Sequence, residues 1–556
     1  MLVEVWAKIR PQNFFSDMEY KTMTYRSLIS RRKFIQGAGV ITGAGLIAAC
    51  SPVLEAPVAT TLPEVVATTL PEVVADSKAG GSLVAALSSG DISGWLTWQA
   101  STSNDSGAWT AIYDTLVEYD KEYKIVGGVF SDWKSKDAIS WIFTVRQGVT
   151  WHDGKPLVAQ HIVDYFDTLL KTDSGAGTEK VATVKGASYK ASDEKTVELV
   201  LAEANAALLS DLTSHWLART SDFDPSKPIG TGPFVFVEWQ RNQHIKVKKN
   251  TSYWKENLPY LDEVTFRMVP DQDQAVNLLT TNEIQVIPSV ALPKIATLKE
   301  NTKIQVLQVP EPYRLAFSFL LTKTDAPPWD NTKVRQALNW ALDRKAMLAA
   351  TLGYGTVKSN PVSKGSWAFN PNAQSYDSQD MTKAKALMAE AGFTPGKKAF
   401  KTSLKWWKEW QQNEPICQII QANLAELGVE VELQLLEIGQ WVKTVQGDVD
   451  YEMALTALVP RWDPSDQLGN AYKTDDGAAL NWSNKAFDDA FAAAAATADQ
   501  EQRKIAFYKC QEIAMEECPS TILNEAPQFA AASTQVQGVI QHNRSFMIYH
   551  EAWLKS

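Results

Sequence analysis

Cysteine is nearly missing from this chain: Cys50, Cys417, Cys510 and Cys518 are its four, in 556 residues. So few cannot make a disulfide framework. Cys510 and Cys518 could pair only if the helix expected between them breaks, because eight helical residues rise about 12 Å and a disulfide spans less than about 7 Å between Cα atoms. Histidine is sparse too. Six scattered histidines with no close pair argue against a dedicated metal site, which gathers several imidazole or thiolate ligands. The sequence also lacks Gly-x-Ser-x-Gly, His-Glu-x-x-His and any Cys/His pattern with a partner. No catalytic residue, metal or cofactor is therefore expected.

Positive charge is in deficit. The 54 Lys+Arg against 64 Asp+Glu leave a formal charge of -10. Cutting at Cys50 removes seven basic and three acidic residues, which takes the remainder to about -14 by the same count. An acidic body repels phosphate, so nucleic acid is not expected as a partner. With 45% hydrophobic residues the chain can bury a large core, and at this length it should form more than one lobe.

Long apolar runs are absent as well. The run from Gly37 to Ala49 is too short for a bilayer, which needs about 20 residues, but it suits the apolar centre of an export signal. Before it stands Ser30-Arg-Arg-Lys-Phe-Ile-Gln36, which resembles a twin-arginine signal. After it, Leu46-Ile-Ala-Ala-Cys50 resembles a lipoprotein signal-peptidase site. Residues 1–50 are thus read as a signal ending at a lipidated Cys50 that anchors the protein to the membrane. Residues 51–80 read as a disordered tether. There Ala59-Thr-Thr-Leu-Pro-Glu-Val-Val66 is repeated letter for letter at 67–74 with no aromatic residue, and such a stretch cannot bury enough surface to order itself.

What is present is a set of alternations and turns. The stretch Gly230-Thr-Gly-Pro-Phe234, Val-Phe-Val-Glu-Trp239, His244-Ile-Lys-Val-Lys248 and Asn250-Thr-Ser-Tyr-Trp254 reads as a turn, a hairpin and a second turn. Trp141, Phe143 and Val145 alternate on a strand, Asp153-Gly154 turns the chain, and Ile162, Val163, Phe166, Leu169 and Leu170 make a helical stripe. Val158 and His161 stand at that helix start, where a weak cap and a surface histidine are expected. Helices are expected over Trp109 to Val117, Gln272 to Thr280, Ala486 to Ala496 and Gln502 to Glu516. Further helical faces are Val334, Ala337, Leu338, Ala341 and Leu342, and Ile416, Ile419, Ile420, Leu424 and Leu427 with a stop at Gly428.

These pieces resemble the extracytoplasmic solute-binding proteins of family 5, the peptide/oligopeptide receptors of ABC importers. The likeness rests on Gly230-Thr-Gly-Pro-Phe234 with Asn250-x-x-Tyr-Trp254, on Trp141-Ile-Phe-Thr-Val-Arg-Gln-Gly148 with Asp153-Gly-Lys-Pro156, on Asp262-Glu-Val-Thr-Phe266, and on Val334-Arg-Gln-Ala-Leu338 with Ala341-Leu-Asp-Arg344. Together they span roughly residues 80 to 550. The resemblance implies a mixed α/β chain with the two-lobed periplasmic-binding-protein fold, mixed sheets and an additional small subdomain. Lobe I is expected from 81–118, 228–312 and 528–556, its insert from 119–227, and lobe II from 313–527.

The resemblance also implies a receptor without chemistry, a monomer that hands its ligand to the membrane subunits of an ABC permease and their ATPase. An extended solute would dock through main-chain hydrogen bonds, aromatics would cover its apolar faces, and closure would bury it. Candidate ligand-binding residues are Trp98, Ser103, Tyr313, Trp441, Trp462 and Asp463. In Arg461-Trp-Asp-Pro464, Asp463 reads equally as an anchor for a peptide ammonium and as a plain turn initiator. The cargo is expected to be a peptide. An oligosaccharide is the alternative, since 20 tryptophans suit sugar rings. A surface-anchored hydrolase is a remote third, because carboxylates are plentiful and a facing pair cannot be read from sequence.

Overall fold

In the computed structural model the described residues are 78–88, 90–98, 103–171, 178–309, 316–394, 396–407, 413–458, 462–474, 481–526, 528–542 and 546–555. The signal, Cys50, residues 51–77 of the tether and Tyr313 lie outside them, as does the side chain of Ser103. Among the described residues no helix is long and apolar enough to cross a membrane.

Two large mixed sheets organise these residues. The first has seven strands in the order Ile304–Gln308, Phe529–Ser533, Val286–Ile287, Ser82–Leu87, Glu263–Met268, His244–Lys249 and Phe234–Gln240. Ser82–Leu87 lies parallel to its two neighbours, and the other pairings are antiparallel. The second has six strands in the order Thr356–Val357, Ser520–Ala526, Ala316–Thr322, Met453–Leu458, Phe400–Trp407 and Val429–Leu436. Ile304–Gln308 pairs with Phe529–Ser533 in one sheet, and Ala316–Thr322 pairs with Ser520–Ala526 in the other. The chain therefore changes sheet twice, between Gln308 and Ala316 and between Ala526 and Phe529.

A four-stranded antiparallel sheet lies in sequence between the two halves of the first: Phe130–Ser135, Ser140–Val145, Thr196–Val200 and Ser188–Asp193. Its alternation works as the sequence dictates. Trp141, Phe143 and Val145 are buried while Ser140, Ile142 and Thr144 face out, and Phe130 stacks on Phe143 at 4.4 Å. Helix Ala159–Lys171 covers it with Ile162, Val163, Phe166 and Leu169. The expected stripe is corrected at its edge, where Tyr165 is buried and Leu170 is exposed. His161 is corrected too. Its Nδ1 accepts the Val158 amide at 3.2 Å and the Trp151 indole at 3.3 Å, so the imidazole supplies the missing cap and is more than a surface residue.

The Gly230–Trp254 stretch turns out to be a fastening. The helix Ser103–Ile112 ends five residues before the expected Val117, where Gly232 donates to the Ile112 carbonyl at 2.9 Å. The backbone comes so close there that a Cβ on Gly232 would meet that oxygen at 2.6 Å, and one on Gly230 would meet it closer still. Just beyond, Asp114 is half-buried and accepts from Thr231 Oγ1 at 2.9 Å, Tyr253 Oη at 2.8 Å and Trp254 Nε1 at 2.8 Å. Burial raises the Asp114 pKa, and Lys255 and the aromatic donors pull it back. His152 clamps the same turn: its Nδ1 accepts the Gly230 amide at 3.3 Å and its Nε2 lies 3.1 Å from the Gly232 carbonyl. The hairpin signature thus ties its strand to the helix end and to the turn at His152.

The arginines of the later motifs are fastenings as well. Arg344 is buried and donates to the carbonyls of Asn339, Tyr376 and Ile522, and Arg335 to those of Trp329 and Glu517. A guanidinium with several fixed donors satisfies carbonyls that helix ends and loops leave open.

Candidate ligand-binding site

The strand Met453–Leu458 runs through the middle of the second sheet, and the chain resumes at Trp462 as the helix Pro464–Tyr472 begins. Asp463 has extended backbone angles and Pro464 the first helical position, so the local sequence is a helix start. The Asp463 carboxylate accepts the Ser465 amide at 2.9 Å. It also takes both guanidinium nitrogens of Arg503, at 2.8 and 3.1 Å. Arg503 comes from the helix Gln500–Glu517 and reaches the Ala494 carbonyl as well. Both oxygens of Asp463 are therefore engaged within the protein, which favours the turn-and-cap alternative of the sequence reading over the ammonium anchor.

Trp462 is 8% exposed and faces the first half of the molecule. Its ring lies 5.4 Å from that of Tyr123, at the tip of the hairpin formed by Val117–Tyr119 and Ile125–Gly127. That tip is a tight turn in which Asp120 accepts the amides of Glu122 and Lys124, and Tyr123 adopts a φ of 57°. A second link between the same regions is the Ala206 amide donating to the Ala495 carbonyl at 3.0 Å.

Behind Trp462 runs a polar chain that sequence reasoning missed. The Gln467 amide donates to the Trp462 carbonyl at 3.0 Å and its oxygen accepts the Ser363 amide at 3.2 Å. Ser363 Oγ donates to Glu525 at 2.8 Å, and Lys358 Nζ lies 3.7 Å from the same carboxylate oxygen. Glu525 sits at the end of Ser520–Ala526, where the chain leaves the second sheet for the first. Both members of this ion pair are almost fully buried. Burial lowers the Lys358 pKa to about 7, and Glu525 opposes the shift. The partners lie far apart in sequence, and only the isolated carboxylate in an apolar strand signals them.

The other candidates fall in different places. Trp98 is fully buried among apolar residues of the four-stranded sheet and the helix that covers it, its ring 5.4 Å from Tyr165. Trp441 is 2% exposed, packs 4.5 Å from Trp407 and shares an apolar cluster with Trp462. Ser103 begins a helix. The structure thus brings Trp441, Trp462 and Asp463 into one neighbourhood and leaves Trp98 in another. It also uses many tryptophans as core: Trp95, Trp109, Trp151, Trp329 and Trp406 are each under 5% exposed.

Residues 124–479 match the model of the bacterial extracellular solute-binding proteins, family 5. The chain belongs to that family. Among curated relatives, this family 5 protein is 26% identical over 466 residues to the dipeptide-binding protein of Escherichia coli K12, covering 77% of this chain and 86% of that one. It is 28% identical over 432 residues to the glutathione-binding protein GsiB of Salmonella typhimurium, covering 74% and 82%. Among solved structures it superposes on HbpA2 of Haemophilus parasuis with a TM-score of 0.76 at 24% identity, over 86% of this chain and all of that one. The periplasmic binding protein DppA of Helicobacter pylori, in complex with the peptide STSA, gives 0.70 at 24% identity, over 86% and 99%. The two-lobed architecture is that of these neighbours. This family 5 protein is a solute-binding protein, not an enzyme.

Proposed function

We propose that this protein captures short peptides between its lobes and delivers them to an ABC permease. The observation that carries the reading is the family membership, together with curated relatives named for dipeptide and glutathione binding. Support comes from the paired crossings between the sheets and from the meeting of Tyr123 and Trp462. The ligand would lie beside Trp462, with Trp441 and Asp463 behind it; Ser103 and Tyr313 are proposed as further contacts on the resemblance alone, and Trp98, buried in another cluster, stands apart from them. Bridging waters would let the pocket accept varied side chains, since they bond nearly as well as direct partners. Micromolar binding, about 8 kcal/mol, suits a receptor that must release. A peptide is preferred to a sugar because the tryptophans that favoured stacking are largely consumed in the core.

The lobes would run as the sequence divides them: 81–118, 228–312 and 528–556 for the first, 119–227 for its insert, 313–527 for the second. Export by the twin-arginine route and a lipid on Cys50 would hold the monomer at the outer face of the membrane, with residues 51–80 as reach. Native mass spectrometry of protein purified from its own host tests the cargo: a retained peptide mass supports the reading, and a retained oligosaccharide contradicts it. Fractionation of Cys50→Ala tests the anchor. Release into the soluble fraction is expected, and unchanged membrane retention contradicts it.

A further inference from the structure

Glu525 is 4% exposed, on a strand that pairs with Ala316–Thr322 on one side and Thr356–Val357 on the other. A carboxylate buried there must be met by donors. Ser363 Oγ donates to one oxygen at 2.8 Å and Thr356 Oγ1 to the other at 3.2 Å, while Lys358 Nζ lies 3.7 Å from the first. An apolar set of similar volume is often as stable or more so, so the contribution of Glu525 is read in the geometry it fixes.

Of the two hydroxyls, that of Ser363 leads to the candidate site. The Ser363 amide donates to Gln467 Oε1 at 3.2 Å, and Gln467 Nε2 donates to the Trp462 carbonyl at 3.0 Å. Gln467 and Ser363 are each 1% exposed, so water does not compete for these bonds. Asp463, the next residue after Trp462, is fixed independently by Arg503. The backbone of Trp462 is thereby held from two sides while its ring meets Tyr123 at 5.4 Å. At the far end of the path, Glu525 stands one residue before the end of Ser520–Ala526, and the next strand, Phe529–Ser533, belongs to the other large sheet. Buried hydrogen-bonded side chains in series carry coupling between separated parts of a fold.

We infer that Glu525, Ser363 and Gln467 are positioning residues: from the strand end where the chain changes sheet they hold Trp462 against Tyr123, and so slow the escape of a bound peptide. The effect on escape rests on the peptide reading; the hold on Trp462 does not. The test uses the full chain labelled with 5-fluorotryptophan, the Trp462 resonance being assigned by its loss in Trp462→Phe. Ser363→Ala and Gln467→Met, which cut the path at different links, should each move that resonance toward its position in Tyr123→Ala and leave the other tryptophan resonances largely in place. Thr356→Val removes a hydroxyl from the same carboxylate without touching the path, and should leave the Trp462 resonance unmoved. In stopped-flow kinetics with the tightest binder among defined di- to pentapeptides, Ser363→Ala should speed release about two- to tenfold, the worth of one hydrogen bond. Association should be unchanged, and the increase should disappear in a Tyr123→Ala background. A merely structural role predicts equal effects of Thr356→Val and Ser363→Ala, or an effect of Ser363→Ala that persists without Tyr123. Either result overturns the inference, as does a Trp462 resonance unmoved in Ser363→Ala and Gln467→Met. Wild-type protein that binds no peptide contradicts the peptide reading and the effect on escape, and the fluorine spectra then decide the hold on Trp462 by themselves.

Discussion

The ring of Tyr123 lies 5.4 Å from the ring of Trp462, at 43° between planes, so a hairpin in the first half of the fold touches the helix start that borders the candidate site in the second. Such an aromatic pair is worth about 0.5–1.5 kcal/mol beyond its burial. Tyr123→Ala is therefore expected to weaken peptide binding about two- to tenfold, while the melting temperature moves little because the hairpin tip is largely solvated. Calorimetric titration beside a thermal scan checks this. Unchanged affinity would place closure elsewhere.

The close approach at Gly230 and Gly232 predicts a steep sensitivity. A methyl group at either position drives a Cβ into the Ile112 carbonyl, a backbone atom that cannot rotate away. Gly230→Ala and Gly232→Ala should yield little folded protein. Gly439→Ala, where nothing lies within 4 Å, should behave as wild type. Asp114→Asn should cost about 1–3 kcal/mol, since one amide cannot accept from Thr231, Tyr253 and Trp254 together. Soluble yield and chemical denaturation report both effects.

His152 sets a pH dependence. Burial pushes its pKa from 6.5 down to about 4, and its Nδ1 must be unprotonated to accept the Gly230 amide. Between those values the unfolded chain binds the extra proton, so stability is complete above about pH 6.5 and is lost as pH falls toward 4. His550, held at about 3, acts in the same direction. The melting temperature should drop between pH 7 and pH 4. His152→Gln should start lower at pH 7 and decline less; an equal decline would assign the dependence to other groups.

Asp463 and Arg503 form a buried bidentate pair, and removing one partner of such a pair costs about 3–5 kcal/mol. Asp463→Asn and Arg503→Met should therefore lower the melting temperature to similar extents. If Asp463 were instead a peptide anchor, Asp463→Asn would keep its stability and lose peptide retention, and Arg503→Met would not resemble it.

Legibility in the sequence followed the range of the interactions. Helix Gln272–Thr280 has the bounds expected from its pattern, because Asp271 caps it locally at the Gln274 amide. The helix ending near Gly428 stops where a residue of positive φ, 81°, comes close to the Lys397 carbonyl, just ahead of the strand Phe400–Trp407. The helix expected over Trp109 to Val117 instead spans Ser103–Ile112, since its end is decided by Gly232, more than a hundred residues away. The two-lobed class came from motifs whose side chains prove to be fastenings, such as Arg344 on three carbonyls. The site was harder to read. Tyr123 on Trp462, and Lys358 on Glu525, unite residues that no local pattern connects. The burial of Trp98 and Trp441 could not be told from exposure by neighbouring residues alone.

The central claim is capture of a peptide without altering it. Its most direct test is titration of the purified protein with defined di- to pentapeptides, followed by mass analysis of the recovered ligand. The account predicts saturable binding of one peptide per chain, with every peptide recovered intact after prolonged incubation. Cleaved peptide, or no binding of any peptide alongside saturable binding of an oligosaccharide, would contradict it.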